Sequence, residues 1–108
     1  MNISINLTPE ELVITSTELQ AVYNSKANTR KERSTLSICF DVAKIFERKV
    51  VHIRPTLFSV RKTTKVSLKH HEADMLEIIL IQQMQTISDP VIRQISQSVI
   101  AKLNQKLT

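Results

Sequence analysis

Few residues in this sequence have the chemistry to act on a ligand, and their types and spacing fall into three groupings. His70 and Asp74 stand four apart, with Glu77 three further on. On a helix these spacings share a face. A carboxylate beside an imidazole can orient a general base, and one histidine with two carboxylates can hold a metal ion. The pattern is short, however, and no second ligand cluster accompanies it, His52 and His71 being the other histidines. It reads as the polar start of a helix. Cys39 is a nucleophile only if a base and a positive surrounding lower its pKa. Its neighbours at helical spacing are apolar, so it reads as a buried structural thiol. No serine or threonine sits in a nucleophile-elbow pattern. The expectation is a non-enzyme with no catalytic residues, no metal, no cofactor and no small-molecule substrate.

The third grouping is basic. Arg61, Lys65 and Lys69 recur every fourth residue in a segment rich in β-branched residues. From Phe58 the sequence alternates. Phe58, Val60, Lys62, Thr64, Val66 and Leu68 fall on one face, and Leu57, Ser59, Arg61, Thr63, Lys65, Ser67 and Lys69 on the other. In an extended strand every fourth residue is about 13 Å from the last, so the polar face carries a row of cations. Arg54 and Lys62, with Arg30, Lys31 and Arg33, can add contacts to phosphates or to an acidic partner.

Charge distribution agrees with this placement. Residues 1–25 sum to −3, residues 26–69 to +9 and residues 70–108 to −1, for a net charge of +5. A field concentrated in mid-chain attracts polyanions or acidic protein surfaces, and it also keeps a protein soluble. At 108 residues and 42% apolar content, the chain suits one domain, 1–108, with its own core. The longest apolar run, Ile78–Ile81, is far too short to span a membrane. A single cysteine and no signal-like start point to the cytoplasm, or to a particle assembled there. Glycine is absent, which removes Gly-rich phosphate-cradling loops.

The elements that must position these residues follow from periodicity and caps. Asn2-Ile3-Ser4-Ile5-Asn6-Leu7 alternates as a half-buried strand does. Thr8-Pro9-Glu10-Glu11 then supplies a cap, a proline suited to the first helical turn and a glutamate three past the cap. That helix is expected to run to about Ala27, burying Leu12, Leu19, Val22 and Tyr23. Ser34 can cap a second helix with a stripe of Leu36, Cys39, Phe40, Ala43, Phe46 and Val50. Leu36, Ile38, Phe40 and Val42 also alternate as a strand would, but the helical stripe persists for four turns. A third helix, about His70–Thr86, has Met75, Leu76, Ile78, Ile79, Leu80 and Ile81 nearly encircling it, the mark of central burial or an interface. Asp89-Pro90 opens a fourth, striped by Ile92, Ile95, Val99, Leu103 and Leu107. The fold class is therefore α+β and helix-dominated: about four helices on a small antiparallel sheet formed by Ile3–Leu7 and Leu57–Leu68.

The two halves, 1–50 and 57–108, resemble each other. Ile5-Asn6-Leu7-Thr8 through Glu11 parallels Val66-Ser67-Leu68-Lys69 through Glu72 at an offset of 61. Ala43-Lys44-Ile45 parallels Ala101-Lys102-Leu103 at 58. Each half reads as strand, helix, loop, helix. With Leu7-Thr8-Pro9-Glu10-Glu11 at its first junction, this order is similar to the ribbon-helix-helix layout of small DNA-binding proteins, and two copies in one chain look like a fused dimer. The resemblance implies DNA binding through the outward face of a strand pair. The first strand would offer only Asn2, Ser4 and Asn6 there, leaving half of such a ribbon without charge. The leading expectation from sequence is instead a protein-interaction or assembly module, of a size that fits a small structural or accessory protein of a phage or mobile element, working as a homo-oligomer or with another protein through Met75, Ile78 and Ile81. DNA binding is the alternative.

Overall fold

The computed structural model describes residues 2–53 and 63–108. Strand β1 (Asn2–Leu7) leads into helix α1 (Pro9–Leu19), which a 3-10 turn (Gln20–Asn24) prolongs. Helix α2 (Arg30–Ile53), strand β2 (Thr64–Lys69), helix α3 (His70–Met84) and helix α4 (Pro90–Leu107) follow. The architecture is helix-dominated α+β, four helices on a two-stranded antiparallel sheet. The expected strand residues 57–62, with Arg54, Arg61 and Lys62, lie outside the described residues.

Alternation decides the sheet. Ile5, Leu7, Val66 and Leu68 are no more than 2% exposed and face the helices, while Asn2, Asn6, Lys65, Ser67 and Lys69 are exposed. Each strand hands its direction to a helix through a cap. The Thr8 Oγ1 accepts from the Glu11 N–H at 3.2 Å, and Glu11 Oε1 accepts from the Thr8 N–H at 2.9 Å. At the corresponding place Glu72 Oε1 accepts from the Lys69 N–H at 2.8 Å. The ammonium of Lys69 has no acceptor, so this second box is half of the first.

Three local expectations are corrected. The first α-helix ends at Leu19, not Ala27. In the tighter 3-10 turn Val22 follows Leu19 into the core, and Tyr23 rotates out to 41% exposure, stacking on Phe40 at 5.5 Å. The second helix begins at Arg30 because Thr29, not Ser34, caps it. Thr29 Oγ1 accepts from the Glu32 N–H at 3.1 Å, whereas the Ser34 hydroxyl donates back to the Arg30 carbonyl from within the helix. The third helix is not encircled by burial. Ala73, Leu76, Ile79 and Leu80 are buried and Met75 half-buried, but Ile78 and Ile81 are 41% and 46% exposed. The helix reading of Leu36–Val50 holds, with Cys39, Val42, Ala43 and Phe46 all buried. In α4, Val99 and Leu103 carry the core contact and Ser96 fills the turn before them, while Ile92, Ile95 and Leu107 are half-buried.

The halves pack as mates. α1 lies against α2 and α4, and α3 lies against α4 and α2. In the strand register Ile5 sits directly opposite Val66, the same pair that the 61-residue offset matches. Buried positions repeat at that offset: Leu12 with Ala73, Thr15 with Leu76, Leu19 with Leu80. For α2 and α4 the buried positions match at 57, not 58: Cys39 with Ser96, Val42 with Val99, Phe46 with Leu103. The Ala-Lys identities at 58 misalign the faces, since Ala43 is buried and Ala101 exposed.

Candidate nucleic-acid interface

The helices lie under one face of the strand pair, and the opposite face is built wholly from polar side chains. Its rows are set by the register: Asn2 opposite Lys69, Ser4 opposite Ser67, Asn6 opposite Lys65. The central hydroxyls of Ser4 and Ser67 share a hydrogen bond at 3.2 Å. Each end row therefore pairs a cation with an amide, and the amide offers both a donor and an acceptor. Lys65 and Lys69 are exposed and lie on the same strand about 13 Å apart. The ribbon thus carries two cations on β2 and none on β1.

Helix α4 supplies what β1 lacks. Its C-terminal end runs beside the strand, forming a groove of about 210 Å³ lined by Ser4, Ile5, Asn6, Lys102, Gln105 and Lys106. Lys102 Nζ donates to the Asn6 carbonyl at 2.9 Å and pairs with Glu11 Oε1 at 2.6 Å. Lys106, exposed one turn later, lies against the neutral strand. Neither Lys102 nor Lys106 is among the bases that the sequence alone assigns to this face. The signal that could have found them is their four-residue spacing, which puts both on one helix face.

Glu11 is the clasp that holds α4 in this place. Burial pushes its carboxyl up, but hydrogen bonds from Lys102, the Thr8 N–H and the Ser98 hydroxyl, with the Lys102 charge, outweigh it and hold the group below its ordinary value. At the last turn of α1 the balance reverses. Burial raises the Glu18 carboxyl, and the hydrogen bond from the Ser96 hydroxyl offsets only part of it. Glu18 Oε2 and Thr15 Oγ1 are buried with no partner among the described residues. The α1–α4 seam is polar and anchored at the ribbon end.

Of the bases expected at the site, the structure brings Lys65 and Lys69 onto one face. Arg30, Lys31 and Arg33 are exposed around the first turn of α2, with no hydrogen bond or ion pair to the ribbon among the described residues. His70 and Asp74 are exposed at the start of α3, and among the described residues no three His, Cys, Asp or Glu side chains converge as metal ligands would. Cys39 is buried, and burial pushes its thiol up, away from the reactive thiolate. Among the described residues no helix is long and apolar enough to cross a membrane. No family model, no curated protein and no solved structure matches the chain, so the chemistry of this face rests on its own residues.

Proposed function

We propose that the chain binds double-stranded DNA without catalysing a reaction, laying the polar face of the β1–β2 ribbon into the major groove. The observation that carries this reading is the face itself: Asn2, Ser4, Asn6, Lys65, Ser67 and Lys69 in three cross-strand rows, with Lys106 beside them. Paired strands lie about 4.8 Å apart, and a two-stranded ribbon fits a major groove about 12 Å wide. Asparagine amides can pair with the N6 and N7 edge of adenine, and hydroxyls can take either partner. The lysines neutralise phosphates and set the register on the duplex.

Salt dependence tests the proposal. Three lysine–phosphate contacts give a log–log slope of about −2.7, so affinity for an arbitrary duplex should fall about 40-fold between 50 and 200 mM salt. Fluorescence anisotropy with a labelled duplex reads this directly. Weak binding of equal strength at both salts would end the proposal.

A second reading, assembly through protein contacts with a second copy or another protein, is favoured by a different observation. Ile78 and Ile81 stand 41% and 46% exposed, three residues apart on α3. Either role suits a chain in the cytoplasm, or in a particle made there, the setting in which a lone free cysteine is expected.

A further inference from the structure

We infer that the outer groove between α3 and α4 is a docking site for an amphipathic segment of another protein, one that presents an aromatic side chain within a helical turn of a lysine or arginine. This inference rests on the second, protein-contact reading and is independent of the DNA proposal.

The molecule's own repeat carries the argument. The groove is lined by Glu77, Ile81, Met84, Gln97, Ile100, Ala101 and Asn104, with a volume of about 380 Å³. At the offsets that align the buried faces, Met84 and Gln97 correspond to Tyr23 and Phe40, and Ile81 and Asn104 correspond to Gln20 and Glu47. In the first half those positions close on each other. The Tyr23 and Phe40 rings stack at 5.5 Å with 10° between their planes, and Gln20 Nε2 donates to Glu47 Oε1 at 3.1 Å. In the second half the ring pair is a methionine and a glutamine, the polar pair is Ile81 and Asn104, and the groove stands open. A space beside two stacked aromatic rings in one half is open in the other, floored by Ile81, Met84, Ile100 and Ala101 and rimmed by Glu77, Gln97 and Asn104.

Charge specifies the rest of the occupant. Glu77 lines the groove, and its Oε2 is buried with no partner among the described residues. A buried acceptor without a donor is costly, so a partner that brings a cation to it gains more than one bringing apolar surface alone. A second copy packed groove to groove brings only the neutral amides of Gln97 and Asn104 and no cation, because none of the seven lining residues is basic. The occupant is therefore a basic, aromatic-bearing segment of a different surface.

The test is selection from a random peptide display library on the immobilised full-length protein, with I81K as the comparison. Lysine at position 81 is four residues after Glu77, where it can pair with the carboxylate and block the apolar floor while the helix is preserved. The expected result is enrichment of peptides with Phe, Tyr or Trp three or four residues from Lys or Arg. Their binding should drop at least tenfold on I81K, and E77Q should weaken the preference for the basic residue. I81K should leave the circular dichroism spectrum and the duplex affinity unchanged. No enrichment, enrichment of acidic peptides, or peptides indifferent to I81K would each overturn the inference. Concentration-dependent self-association that I81K abolishes would also overturn it, by making a second copy the occupant, while leaving the protein-contact reading standing.

Discussion

Replacing both ribbon lysines, K65A/K69A, lowers affinity for a duplex of arbitrary sequence about 60-fold at 0.1 M salt and reduces the log–log salt slope by about 1.8. Both figures follow from counterion release, about 0.9 of slope for each phosphate neutralised. The effect comes through binding, not folding. Both side chains are exposed, and the capping bond at the head of α3 uses the Lys69 backbone N–H, which alanine retains. Thermal melting of the double variant should match the parent. If it does and duplex affinity is unchanged, the ribbon face is not the contact. Single K106A should remove a further slope of about 0.9, because Lys106 lies against the strand that has no base of its own.

The largest effect on stability is expected at Phe46. Its side chain is fully buried on α2, in the helix that packs against both α1 and α3. Phe46→Ala deletes a ring from a closed site and leaves a cavity, which typically costs about 3–5 kcal/mol. A domain of this size has about 5–15 kcal/mol in total, so the variant will be strongly destabilised or unfolded at 37 °C. Urea unfolding followed by circular dichroism measures it. Val51→Ala, one turn and a half later and 66% exposed, should change stability by no more than about 0.5 kcal/mol. A small effect at Phe46 would mean that α2 does not join the two halves.

How legible the fold was depended on whether a signal was local. The Thr8–Glu11 box and the Asp89-Pro90 start were readable because capping is decided within four residues. The strand faces were readable because a period of two leaves one assignment for Val66 and Leu68 once burial on one side is assumed. The cap of α2 was misplaced because Thr29 and Ser34 are chemically alike. What separates them is Glu32, which closes back on the Asn28 N–H at 2.8 Å. Tyr23 was placed inward because α-helical spacing was extended past Leu19, where the chain tightens to three residues per turn.

At the site, Lys65 and Lys69 were legible from alternation alone. Lys106 was not, because its position beside β1 is made by the Lys102–Glu11 pair, which joins residues 91 positions apart. The vacancy between α3 and α4 was equally hidden. Ile81 looked like part of an encircled helix, and only the structure sets it in a groove whose counterpart in the first half is closed by Tyr23 and Phe40.

The central claim is that the ribbon enters the major groove, and a duplex with that groove filled tests it most directly. Cytosines bearing glucosylated hydroxymethyl groups carry their bulk on the major-groove edge and leave the minor groove and the phosphates as they were. With this duplex and its unmodified twin at the same salt, the account predicts at least a tenfold loss of affinity on glucosylation. Equal, salt-dependent binding of the unaltered protein to the two duplexes would contradict it.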